Sequence, residues 1–381
     1  MEDSKRMFFL DNLRTLMIFL VLVLHITIAS IVPQFPGWVH DPAPSAIYLY
    51  YIMTITDGPL LMAVMFFLAG YFTLSSFARK GAQQFIRDKM IRLGIPFVAG
   101  ASFIAYLLGN IAYYAGGGKG LQVVSVATFF QWLRTTFTFF NPKNYGQYYF
   151  WFIGVLLWFY LLTALVLTVF KRKISPGATK TGRPSVFFFI GFTVLTILAS
   201  FAVSLTGRFY SWTVTYFIEF QNMFLPVYIA YFILGMYAYK RNWFKDEYRP
   251  RILPWTISYI IAMAVHTYLF GITYLFNPTA VIPKLLASIT YNISIISWLF
   301  MLLALFQKYF NKETAASRTI SGSSYGVYLI HGLVLFGVII VTRMIPIPQI
   351  ARFILNIVLV TLFAWGISYG LKKVPGFRRV L

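Results

Sequence analysis

An arginine and a histidine stand eleven positions apart on one apolar stretch, Leu13-Arg14-Thr15-Leu16-Met17-Ile18-Phe19-Leu20-Val21-Leu22-Val23-Leu24-His25, where Thr15 is the only polar residue between them. A guanidinium is a fixed cation suited to phosphate oxygens, and an imidazole is a proton carrier near neutral pH. Each costs roughly 3 kcal/mol or more in the middle of a lipid-facing helix, so two on one span constitute a functional hypothesis. At about 100° per residue His25 returns to within about 20° of Arg14 around the helix, about 16 Å further along its axis. One face thus carries a permanent charge near one membrane surface and a titratable ring near mid-bilayer. The competing reading is an interfacial Arg that snorkels and a His that bonds a neighbouring helix.

The chain has ten acidic residues and four histidines, so the remaining candidates are few. Asp57 sits in Thr54-Ile55-Thr56-Asp57-Gly58-Pro59, a sequence that should kink or break its helix at about the depth of His25. Its carboxylate either orients that imidazole or caps the helix that follows. Glu219 lies near the outer end of an apolar run, and His331 follows Ser323-Ser324-Tyr325-Gly326-Val327-Tyr328-Leu329-Ile330. Tyr325, His331 and Glu219 are candidate substrate contacts, although helix packing equally explains a lone intramembrane His. The basic segment 79–96 reads as helical, and its Arg87, Lys89 and Arg92 suit either phosphates of a cytosolic ligand or positive-inside anchoring. No His-x-x-x-Asp, Glu-x-x-His or His-x-x-x-His motif occurs, which argues against a metal centre. Gly-x-x-x-x-Gly-Lys-Ser/Thr is absent too, against ATP-driven transport.

The elements that must position these groups are membrane spans. Hydrophobic residues make up 59% of the 381-residue chain, aromatic residues 20% and charged residues 11%, with mean hydropathy +0.73. That composition predicts an all-α integral membrane protein. Apolar runs near spanning length occur at about 10–32, 47–77, 93–114, 149–170, 185–206, 222–239, 252–275, 285–307, 323–342 and 351–371. The first is followed by Val32-Pro33-Gln34 rather than a cleavage site, and reads as a retained span. The net charge of +22 is not a nucleic-acid footprint, because Lys and Arg fall in short clusters between the runs. With both termini cytoplasmic, all but Lys119, Arg134, Lys143, Arg208, Lys284, Arg343 and Arg352 lie on the inner side, so about ten transmembrane helices are expected. Residues 10–372 form a single multi-pass domain, and 373–381 a basic cytoplasmic tail. With no cysteine there is no disulfide or thiolate site.

Several of these stretches together resemble the acyltransferase family 3 membrane enzymes, which O-acylate extracytoplasmic carbohydrates and related acceptors. Leu10 to His25 with its Arg-x10-His spacing, Phe66 to Phe72 (FFLAGYF), Arg92 to Phe97 (RLGIPF) and Ser324 to His331 (SYGVYLIH) carry the likeness. Trp151-Phe152 and Phe232 to Phe244 look most like the glucan succinyltransferase branch. The resemblance implies that His25 serves as base or proton carrier, that Arg14 lies near the acyl donor, and that Arg92 to Pro96 flanks donor entry. An acidic motif of some carbohydrate-acylating members is not found where this chain has Tyr149-Phe150-Trp151-Phe152.

The expectation is therefore an O-acyltransferase of the cell membrane, working without a tightly bound cofactor. Acyl-CoA is its cytosolic donor co-substrate, and the acceptor is an extracytoplasmic hydroxyl on a carbohydrate or glycan. Its surroundings are the lipid bilayer, with no nucleic-acid partner. The rival is a proton-coupled secondary transporter using His25 and Asp57, for which the expected internal repeat is missing.

Overall fold

The computed structural model describes residues 7–31, 58–115, 147–170, 182–206, 211–215, 218–244, 248–276 and 280–380. In lipid, a segment this apolar satisfies its backbone only by closing helical hydrogen bonds on itself, and helices dominate the described residues. They are α1 (Phe8–Ile31), α2 (Gly58–Lys89), α3 (Ile95–Ala99), α4 (Ala105–Ala115), α5 (Trp151–Val169) and α6 (Val186–Leu205), followed by α7 (Leu225–Lys240), α8 (Ile252–Phe276), α9 (Val281–Tyr309), α10 (Ala315–Thr342), α11 (Gln349–Leu371) and the short α12 (Pro375–Arg378). The all-α, multi-pass class predicted from composition is the class observed.

Eight helical stretches among the described residues are long and apolar enough to cross a membrane, against the ten runs read from the sequence. The two accounts part at two places. Residues 58–112 form one continuous helical stretch of 55 residues, where the sequence suggests two runs and a basic connection. That connection is itself helical, kinked at Gly81, whose φ of 71° suits glycine. Secondly, α7 has 16 residues, about 24 Å, short of a bilayer core of roughly 30 Å. A small antiparallel hairpin precedes it, β1 (Trp212–Val214) pairing with β2 (Glu219–Gln221), with Val214 opposite Glu219. The hairpin occupies the connection before the 222–239 run, where the sequence predicts no strand.

Helix α1 packs against α2, α9, α10 and α11, and is therefore central. The tightest crossing joins α2 to α7. A Cβ on Gly70 would lie 2.0 Å from the Phe232 carbonyl oxygen, and one on Gly235 would lie 2.1 Å from that of Phe67. Only glycines let the two backbones approach so closely, the small-residue contact by which helices associate in lipid.

Candidate active site

Packing of α1 on α10 brings together the two histidines that the site is built on. His25 Nδ1 lies 3.0 Å from His331 Nε2, and His331 Nδ1 lies 2.6 Å from the Tyr328 carbonyl oxygen one turn earlier. A carbonyl only accepts, so Nδ1 of His331 carries the hydrogen, and in a neutral ring its Nε2 is then the lone pair. His25 therefore donates to that lone pair from Nδ1, which in a neutral ring places its basic lone pair on Nε2. His331 has no accessible surface, whereas His25 is only partly buried. The ring that keeps some exposure is thus the one that donates across the pair.

Tyr149 forms a third wall. A 3-10 turn, Tyr148–Phe150, presents it at the start of α5, with its ring centroid 4.1 Å from that of His331 and 6.0 Å from that of His25. Its hydroxyl donates to the Leu329 carbonyl at 3.0 Å, and its own carbonyl accepts from the Tyr328 hydroxyl. The ring fits there because Gly332 has no side chain; a Cβ would lie 2.3 Å from Tyr149 Cε1. Sequence reasoning placed His331 among the substrate contacts and did not single out Tyr149 or Tyr328. The structure puts His331 behind His25, as its ring partner. The available signals were the aromatic run 148–152 and the three-residue spacing of Tyr328 and His331, which puts both on one helix face.

The second group gathers around Tyr160. Lys89 Nζ stands 3.7 Å from the centre of the Tyr160 ring, and Arg14 and Arg92 lie within Coulombic range of its hydroxyl. Arg14 also pairs with Asp11 at 3.3 Å. The path of Arg92 follows from Pro96. In an α-helix the Arg92 carbonyl would accept from residue 96, but proline has no N–H. Here the chain widens into a π-turn, Met90–Gly94, and the Tyr325 hydroxyl donates to the Arg92 carbonyl instead. So Tyr325, expected as a substrate contact, is hydrogen-bonded at the basic group, six residues before His331. Arg87 is exposed in the last turn of α2 and, among the described residues, makes no ion pair or ring contact with this group.

Glu219 stands apart from both, on the hairpin. Its Oε2 accepts from the Gln147 backbone N–H at 2.7 Å. Burial raises its carboxyl to about 7, against the lowering effect of that N–H. Asp57 lies outside the described residues; the first residue of α2, Gly58, sits against Leu24, the neighbour of His25. His266 is elsewhere, its Nδ1 3.2 Å from Thr290 Oγ1 and its ring on Tyr291.

No curated protein and no solved structure matches the chain. One family model does, that of the family 3 acyltransferase domain, over residues 7–369. That match takes in α1 with both Arg14 and His25, the π-turns around Pro96, and α10 with His331. Because it spans nearly the entire chain, the protein belongs to acyltransferase family 3 and is a multi-pass membrane acyltransferase.

Proposed function

We propose that the enzyme resides in the cell membrane and moves an acyl group from cytosolic acyl-CoA to a hydroxyl of an extracytoplasmic acceptor, a carbohydrate or glycan. His25 is the base. The observation that carries this reading is the chain of bonds from the Tyr328 carbonyl through His331 to His25, which in neutral rings assigns the basic lone pair to His25 Nε2. In the reaction the acceptor oxygen forms a C–O bond to the thioester carbonyl carbon, the C–S bond breaks, and the hydroxyl proton passes through His25 to the departing thiolate. While His25 holds that proton, His331 accepts a hydrogen bond from the imidazolium. This orienting role is one that a carboxylate fills in a Ser-His-Asp triad.

The donor enters at the basic end. Arg14, Lys89 and Arg92, with Arg87 at the rim, hold the CoA phosphates, and the pantetheine arm covers the roughly 16 Å from Arg14 to His25. Trp151-Phe152 and the stretch 232–244 favour the glucan succinyltransferase-like branch, making succinyl-CoA the first donor to try. The test is single-turnover incubation of purified enzyme with labelled acetyl-, succinyl- and longer acyl-CoA and candidate glycans. Label in the glycan, lost in His25→Gln, is the expected result. Proton-coupled glycan uptake with no label transferred would overturn it.

A further inference from the structure

Glu219 is a partly buried carboxylate with a specific backbone partner, on an element the acyl-transfer step does not itself use. The hairpin that bears it is well tied. Thr213 Oγ1 donates to Asn222 Oδ1 at 2.5 Å, Asn222 Nδ2 donates to Ser211 Oγ at 3.1 Å, and Thr215 closes the turn by accepting from and donating to Ile218. It docks on the start of α5 at three points: Trp212 edge-on to Trp151 at 5.6 Å, Gln147 Nε2 donating to the Thr215 carbonyl at 3.2 Å, and Glu219 accepting from Gln147 N–H. Gln147 has no accessible surface.

What these contacts hold is a strained link to the imidazoles. Tyr148, next to Gln147, has φ of 49°, a left-handed conformation that a bulky aromatic residue adopts only when its surroundings impose it. The following residue is Tyr149, whose ring lies on His25 and His331. Glu219 fixes the near side of the strained residue. The Tyr328 hydroxyl, Leu329 carbonyl and Gly332 fix the far side.

We infer that Glu219 is a positioning residue for acyl transfer: by holding the Gln147–Tyr149 turn it keeps the Tyr149 ring against the His25–His331 pair. This rests on the reading of His25 as base.

The test uses full-length purified enzyme with ¹⁵N-labelled histidine, the imidazole signals being assigned through His25→Gln and His331→Gln. Glu219→Ala should shift the signals of both rings and lower kcat by about 10- to 100-fold, as small displacements of reacting groups do, with acyl-CoA affinity unchanged. Glu219→Gln should restore most of the rate, because its amide oxygen still accepts from Gln147 N–H. Combined with Tyr149→Ala, Glu219→Ala should add little. If Glu219→Ala does not fold, Glu219→Asp, one methylene shorter, serves in its place. Unmoved imidazole signals in a folded variant, or a raised acceptor KM at unchanged kcat, would overturn the inference; the second result would make Glu219 an acceptor contact. Absence of transfer by the parent enzyme removes the His25 reading instead, and the imidazole signals still decide whether Glu219 positions the pair.

Discussion

His331 Nε2 meets His25 Nδ1 at 3.0 Å across 306 positions of sequence. The bond has a direction. Because the Tyr328 carbonyl takes the hydrogen of His331 Nδ1, His331 can only accept from His25, whose own basic lone pair in a neutral ring is then on Nε2.

Both histidines should therefore matter, unequally. His25→Ala or His25→Gln removes the proton acceptor and should lower single-turnover transfer by about 10²–10⁴-fold. His331→Gln leaves a base whose tautomer and orientation are no longer set, and should also cost at least about 10²-fold, where a residue that merely packs would cost little. Rates of variants matched to the parent in melting temperature and donor affinity check this. Near-parental turnover by His331→Gln would mean that the pair is packing alone.

Gly332→Ala places a methyl where the Tyr149 ring lies, with a contact of 2.3 Å if nothing moves. The ring is tied at its hydroxyl and backbone, so relief must come at the expense of its seat on the histidines. The expected outcome is about 1–3 kcal/mol of lost stability from overpacking, together with a kcat loss that Tyr149→Phe does not reproduce. Thermal unfolding and turnover of the two variants side by side give the answer.

The parts of this arrangement legible in the sequence were those with a period or a breaker. Arg14 and His25 share a face because eleven residues make nearly whole turns; Pro96 is the breaker from which a disturbed helix after Arg92 could have been read, although the segment 79–96 reads as plainly helical. His331 as the partner of His25 was not legible, since the α1–α10 crossing that joins them depends on contacts no local pattern encodes. Tyr149 was hidden for a related reason: its role comes from the left-handed φ of Tyr148, an aromatic residue that in sequence resembles its interfacial neighbours. Hydropathy, blind to backbone geometry, placed 219–221 just before a span and carried no sign of its pairing with 212–214.

At the donor end, Arg14→Ala should weaken acyl-CoA binding by about tenfold or more, with Arg14→Lys restoring only part of it, because an ammonium cannot offer the forked donors of a guanidinium. Lys89→Ala should act in the same direction and Arg87→Ala less, given its separation from the Tyr160 group. Calorimetry with a non-hydrolysable acyl-CoA distinguishes them. Unchanged affinity in all three would make these cations topological anchors.

Sidedness is open to direct labelling, the chain being free of cysteine. The charge distribution places Lys312, between α9 and α10, inside, and Met344, between α10 and α11, outside. Both are exposed. Lys312→Cys in intact cells should resist a membrane-impermeant maleimide until the membrane is opened, and Met344→Cys should react at once. The reverse pattern would invert the orientation on which a cytosolic donor depends.

Glu219 should give stability and activity opposite pH dependences. Its carboxyl, ordinarily near 4.5, is raised to about 7 by burial, against the opposing effect of the Gln147 N–H. The folded protein therefore holds this proton more tightly than the unfolded chain. Its stabilising contribution is complete below about 4.5 and is lost as pH rises through about 7. The bond from Gln147 N–H runs the other way, because an ionised acceptor makes the stronger bond. Transfer should accordingly gain across the same interval in which the melting temperature falls. Glu219→Gln cannot ionise, so the difference between its pH profiles and those of the parent isolates the carboxyl from every group common to both. Melting curves and initial rates from pH 5 to about 8.5 make the comparison. Superimposable profiles for parent and variant would show that the carboxyl does not change its charge in the working range.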